Sequence, residues 1–345
     1  MTAATALAPD RPRDRPRLLG GALLPMLGGG VQRLVAVFLA LHPLGAVLVL
    51  GWMLRLMRHE AAETRRALIA GEPGCRAPLP GWLTPVSADG ARFTGPPGRR
   101  LGGLWLNLAN GIAATITVFA GTLPFTLLWL VSWWAGWENS FNKGYEQSWV
   151  GPVVGMLGVA LALPLLARLP MALAHQAVKG RLSAFFARRP VGELIEAAGW
   201  RYVWLALLSA IAALPLFVFQ ALPTFVEEWR PGLADSSPEE IKTFIARYRL
   251  LATTYLVLVL IALRRMAARL HARASLALEA QGLSAGPRRG PIRLGVWVRR
   301  LLTWACWFAV IAQVFVAQFV NHQWVVWLLP PLSALPWFAP LAPVP

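Results

Sequence analysis

The chain has 345 residues, of which 57% are apolar and 14% charged, with a net charge of +17. Soluble domains carry roughly 25% charged residues, so the composition excludes an ordinary water-soluble globular fold and points to a bilayer. The basic excess lies beside apolar stretches, which makes anionic headgroups the expected partner and nucleic acid an unexpected one.

Residues 1–17, rich in arginine and proline, read as a disordered tail, with no small-residue cleavage site to mark a removable signal. A weak Gly-rich apolar stretch at 18–30 precedes a stronger one at 34–54, which is long enough to cross but carries His42-Pro43 at its middle. It either crosses once or forms a re-entrant hairpin bent at His42-Pro43-Leu44-Gly45, and the sequence leaves both open. Five further spans follow, at 101–134, 149–174, 202–225, 244–263 and 301–320. Each approaches or exceeds the ~20 apolar residues that cross ~30 Å of hydrocarbon.

The fifth span needs an argument from length. Its uncharged run, 250–263, rises only about 21 Å as a helix. Extension back to Phe244 completes the crossing and places Arg247 and Arg249 in the outer turns, where they reach the headgroups. Ser237-Pro238-Glu239-Glu240 reads as a capping box with proline at the first helical position, so one helix is expected from there through the span.

The loops set the orientation. Net charges are +4 for 55–103, −1 for 135–148, +3 for 175–201, −1 for 226–249 and +8 for 264–300. That alternation is the positive-inside pattern. It places the three basic segments in the cytoplasm and 135–148, 226–249 and the C-terminus outside. Trp133, Trp134, Trp137, Phe141, Tyr145 and Trp149 frame the first outer loop, and Trp324 and Trp327 the tail, as an interfacial belt requires. Arginine far exceeds lysine, as in chains from GC-rich bacteria, so the expected location is the bacterial inner membrane. The fold class is all-α and polytopic: five transmembrane helices plus the first span, forming one membrane-embedded domain over 18–325. Residues 326–345 form an apolar, Pro-rich tail at the outer interface.

Two inner segments read as amphipathic helices on the leaflet. In 175–189, Val178, Leu182, Phe185 and Phe186 share a stripe, with Lys179, Arg181, Arg188 and Arg189 off it, and Pro190 ends the helix. After the fifth span, Arg265, Arg269 and Arg273 recur every four residues. This second stripe is equally well an extension of the transmembrane helix. These seven basic residues are the expected lipid or partner contacts.

Gly51-Trp52-Met53-Leu54-Arg55-Leu56-Met57-Arg58, Ala70-Gly71-Glu72 and Leu79-Pro80-Gly81-Trp82 resemble the opening of a family of multi-pass bacterial and archaeal membrane proteins known as a domain of unknown function. That opening ends a span in a Gly-Tyr-Leu-Leu-Arg-like sequence, with Trp52 here in place of the tyrosine. Lys179-Gly180-Arg181-Leu182-Ser183-Ala184-Phe185-Phe186, Val191, Leu194, Ile195 and Trp200-Arg201-Tyr202 are similar to that family's inner segment before its next span. The resemblance covers roughly 18–225 and implies a topology but no activity.

Polar residues within spans are weighed by depth. Arg168 lies about 28 Å down its helix from Trp149, near the inner boundary. His42 and Gln313 fall near mid-bilayer and are the intramembrane candidates, although a hydrogen bond to a neighbouring helix accounts for either. His175 and His271 occupy comparable places in a faint repeat of spans two–three and four–five. A lone histidine in an apolar segment does not make a tetrapyrrole site, and Cys75 with Cys306 makes no metal or disulfide pattern, so no cofactor or metal is expected. No HExxH, GxSxG or P-loop occurs, and an enzyme is not expected. The expected function is a non-enzymatic membrane scaffold or accessory subunit, binding anionic inner-leaflet lipid and a protein partner or a second copy of itself. A permease for a neutral or lipid-like solute, built on the Leu-Pro breaks at Pro124, Pro164 and Pro215, is the alternative.

Overall fold

The computed structural model describes residues 20–72, 77–83, 101–132, 149–221, 225, 228, 230–233, 235–282 and 294–321. The tails 1–17 and 326–345 and the outer loop 135–148 lie outside the described residues. The elements are α1 (Gly20–Ala40), α2 (Pro43–Ala70), α3 (Gly102–Ser132), α4 (Val150–Leu166), α5 (Leu169–Lys179), α6 (Arg188–Ala198), α7 (Trp200–Ala221), α8 (Pro238–Ala280) and α9 (Leu294–Asn321). Among the described residues there is no strand.

Four stretches are long and apolar enough to cross a membrane: Gly102–Leu128, Trp200–Phe219, Pro238–Ala280 and Leu294–Gln313. The α4–α5 pair, bent by 45°, makes a fifth if it is counted as one span. This is a multi-pass, all-α membrane protein.

The first apolar stretch forms no single helix over 34–54. It divides at Leu41-His42, and α1, which also takes in residues 20–30 of the weak stretch, packs back along α2. His42 is the N-cap of α2, its Nδ1 accepting from Leu44 N–H at 3.3 Å, with Pro43 in the first turn, where its missing N–H costs nothing. The chain therefore turns at the predicted hairpin position. Trp82 Nε1 donates to Gln32 O (3.1 Å) and the Trp82 ring stacks on Trp52, 5.0 Å between centroids, fastening the two arms together.

α2 then continues past Arg55 to Ala70, so the basic segment 55–103 begins as helix. Its C-cap is Gly71, in the left-handed region at φ 69°.

The third span breaks at Ala167-Arg168. Pro170 has no N–H to offer the carbonyl of Leu166, and the ladder stops there. Tyr202, fully buried on α7, donates its hydroxyl to Ala167 O at 2.7 Å, which satisfies a carbonyl the break exposes. The central element is α5, buried continuously from Met171 to Ala177 and packed on α2 and α8.

The amphipathic helix expected over 175–189 does not form as one element. Gly180 ends α5 in a left-handed cap at φ 65°, a short 3₁₀ turn covers Leu182–Ala184, and α6 starts at Arg188. Pro190 sits in the first turn of α6, where proline is tolerated, and so it opens a helix and does not end one. Of the expected stripe, Phe185 is buried while Val178, Leu182 and Phe186 are exposed.

The fifth span matches its expectation closely. Ser237 Oγ accepts from Glu240 N–H and the Glu240 carboxylate accepts from Ser237 N–H, a complete capping box with Pro238 in the first turn. From there α8 runs 43 residues, about 64 Å at 1.5 Å per residue. That is twice the hydrocarbon thickness, so the half carrying Arg265, Arg269 and Arg273 is an extension of the spanning helix and not a separate helix on the leaflet.

Candidate functional site

The densest chemistry in the fold is a charged seam between α2 and α8: the arginines of its α8 half stand out in the sequence, the carboxylate they meet on α2 does not. On α2, Trp52, Arg55, Leu56, His59 and Glu60 recur at i, i+3, i+4, i+7 and i+8, one face of a helix. All five are buried, Arg55 and Glu60 completely. On α8, Val257, Ile261, Arg264, Ala268 and His271 form the matching buried face.

The helices run parallel. Contacts from Leu41–Arg249 through Met57–Arg264 and Glu60–Arg269 to Arg65–Glu279 keep a nearly constant sequence offset, 207 to 214 residues.

Glu60 is the centre of the seam. Its side chain is 1% exposed; one carboxylate oxygen lies 2.7 Å from Arg265 Nη2 and the other accepts from Arg269 Nε. Arg265 also donates to Ala77 O, at the start of the 77–83 segment. A buried carboxylate requires such neutralisation, because an unpaired ion in a low-dielectric interior costs several kcal/mol. Arg264, also buried, places Nη1 4.0 Å from Met57 Sδ, and its Nη2 has no hydrogen-bond partner among the described residues. Further along, Arg65 and Glu279 form a two-point pair at 2.8 and 2.7 Å. The Arg65 guanidinium, chiefly through that hydrogen bond, holds the Glu279 carboxyl below its usual value. Both side chains are about half exposed, so this pair contributes little stability.

Beside the seam a second buried cation holds the Leu79-Pro80-Gly81-Trp82 segment. Arg55 Nη1 donates toward Asn107 Oδ1 (2.8 Å), Gly81 O (3.1 Å) and Gly103 O (3.2 Å). Asn107 Nδ2 donates to Trp82 O and Trp52 Nε1 to Pro80 O (2.8 Å). The Leu-Pro-Gly-Trp signature is thus a rigid strap stapled between α2 and α3.

His175 on α5 and His271 on α8 meet at 3.2 Å, Nδ1 to Nε2, so one of the facing nitrogens carries the proton and the other accepts it. Among the described residues no group of three or more His, Cys, Asp or Glu is placed to hold a metal.

The residues singled out from sequence are dispersed. Arg265 and Arg269 turn inward onto Glu60 while Arg273 is exposed, so the three do not form one outward stripe. Lys179, Arg181, Arg188 and Arg189 are exposed, Arg189 pairing with Glu193 at 3.1 Å. Gln313 Nε2 donates to Ala210 O at 3.4 Å, a bond between α9 and α7. His42 is exposed at the hairpin turn. Exposed tryptophans Trp105, Trp200, Trp204 and Trp297 lie in the first two turns of α3, α7 and α9, on the side of the basic segments, with exposed Trp304 further along α9. Comparison of the chain with protein-family models, with curated proteins and with solved structures finds no match.

Proposed function

We propose that this protein is a non-enzymatic integral membrane scaffold or accessory subunit of a bacterial inner membrane, holding a partner complex and anionic lipid against its basic face. The observation that carries the reading is the use of its interior charges. Glu60, Arg265, Arg269 and Arg55 bind one another, backbone carbonyls or Asn107, so they tie helices together. The outward chemistry is a tryptophan belt with basic residues beside it, the combination that anchors at an anionic interface. The resemblance over 18–225 to the family of unknown function, and a topology with 55–103, 175–201 and 264–300 in the cytoplasm, belong to the same proposal.

A photo-crosslinking amino acid at Trp204, exposed near the start of α7, tests the scaffold. Irradiated cells are expected to yield a discrete protein adduct that persists through mild-detergent purification. Lipid adducts alone, together with solute uptake that disappears in Gln313→Leu, would replace the scaffold with the permease. The break between α4 and α5 favours that second reading.

Orientation has its own test. In a cysteine-free background, Ser236→Cys is expected to react with an impermeant thiol reagent in intact cells, and Ser284→Cys only after lysis. The reverse pattern inverts the topology.

A further inference from the structure

A cavity of about 200 Å³ opens where the α4–α5 break meets α6, α7 and the start of α9. At ~30 Å³ per water this holds a group of six or seven water volumes, ample for a phosphate and the atoms that carry it. Arg168, Arg299 and Arg300 line it together with a single acid, Glu196, so its lining carries a net charge of +2. Arg300 donates to Glu196. The guanidiniums of Arg168 and Arg299 form no ion pair among the described residues.

Tyr202 donates to Ala167 O and Thr303 to Arg299 O, so neither hydroxyl proton is offered to the cavity and the arginines are its donors. Pro164, Ile195 and Val296 supply an apolar wall, and Trp304, 45% exposed, stands at its edge. Arg299 and Arg300 immediately precede the uncharged run that begins at Leu301, which sets the cavity at the level of the tryptophan belt. None of these residues belongs to the basic stripes expected from sequence to meet lipid.

We infer that this cavity is a phosphate-binding site, formed by the forked guanidiniums of Arg168 and Arg299, for a phosphate ester at the membrane interface. Arginine's planar donors match phosphate oxygens in pairs, which a headgroup-facing lysine does not do. The site rests on the membrane reading above and gives its anionic-lipid component a defined address. The same phosphate chemistry is presented by an anionic phospholipid headgroup and by a free phosphorylated solute.

Native mass spectrometry on the purified full chain, exchanged into phosphatidylglycerol or phosphatidylcholine nanodiscs, separates these sources. The wild type is expected to retain phosphatidylglycerol selectively after release. Arg168→Gln with Arg299→Gln is expected to reduce that retention by about a hundredfold, on the order of tenfold per charged hydrogen-bonding group. Gly192→Leu is the second variant: Gly192 lines the cavity, and a Cβ there meets nothing within 4 Å, so the protein folds while the space is filled. It is expected to abolish retention without removing a charge. Arg66→Gln with Arg230→Gln, which removes the same charge at two exposed arginines outside both the cavity and the basic stripes, is expected to retain lipid as the wild type does. If no lipid is held but inorganic phosphate raises the melting temperature of the wild type and not of the two cavity variants, the site stands with a free phosphate as its ligand. Equal retention in all variants, or neither ligand bound by the wild type, overturns it. No partner protein is present in this experiment, so its failure leaves the crosslinking test of the scaffold untouched.

Discussion

Arg265→Gln combined with Arg269→Gln is expected to lower unfolding free energy in detergent by about 3 kcal/mol. The basis is that removing the partners of a buried charge typically costs 3–5 kcal/mol. Glu60, 1% exposed, is left as a carboxylate without its two cations; Arg269, 30% exposed, is partly hydrated already, which sets the estimate at the low end. Adding Glu60→Gln to the double variant is expected to restore part of the loss, because nothing charged then remains uncompensated at that point. SDS-titration unfolding of all four combinations gives the coupling energy directly, and at least about 1 kcal/mol is expected for contacting charges. If the arginines instead meet only lipid at the leaflet, the double variant unfolds like the wild type and the coupling vanishes. A triple variant that merely sums the single losses leads to the same rejection.

That contrast shows where the sequence was readable and where it was not. The capping box at Ser237 and Glu240 was visible because both partners lie within one turn, and the bend at His42-Pro43 because proline constrains its own neighbourhood. The spans followed from hydropathy and length alone. The inward turn of Arg265 and Arg269 depends on Glu60, about 205 residues earlier on another helix. Periodicity places three arginines on one face but is silent about which neighbour that face meets. A hydropathy reading also treats charge as loop, so α2 was cut at Arg55, where the helix continues to Ala70. The clue was present in the spacing of Trp52, Arg55, His59 and Glu60, polar groups on the apolar face of a helix that extends beyond its span. At Gly180 the apolar stripe of the sequence continues without interruption, while the left-handed cap that glycine adopts ends α5. The cavity at Arg168 and Arg299 was out of reach of sequence, since it exists only where a broken helix meets the start of α9.

Gly51→Ala is expected to be the most damaging added methyl among the described glycines. At Gly51, α2 and α3 approach so closely that a Cβ would lie 1.7 Å from Asn107 O and 2.5 Å from Gly111 N. Across the same contact, a Cβ on Gly111 would lie 1.9 Å from Val47 O. The obstructing atoms are backbone, which cannot rotate away as a side chain does, so the helices must separate. Close approach through small residues is a chief source of helix association where lipid removes the hydrophobic drive between helices. Separation here also pulls Asn107 and Gly103 from Arg55, depriving a fully buried guanidinium of two of its acceptors. Overpacking alone typically costs 1–3 kcal/mol, and the loss at Arg55 brings the expected total above about 3 kcal/mol. Gly295→Ala, on α9 where a Cβ meets nothing within 4 Å, is the control and is expected to leave stability unchanged or slightly raised. Fluorescence-detected size exclusion of the two variants reads the difference as the fraction of monodisperse protein after heating. A Gly51→Ala protein that survives as well as Gly295→Ala would show that α2 and α3 do not pack through these glycines, and the strap held by Arg55 would lose its physical basis with them.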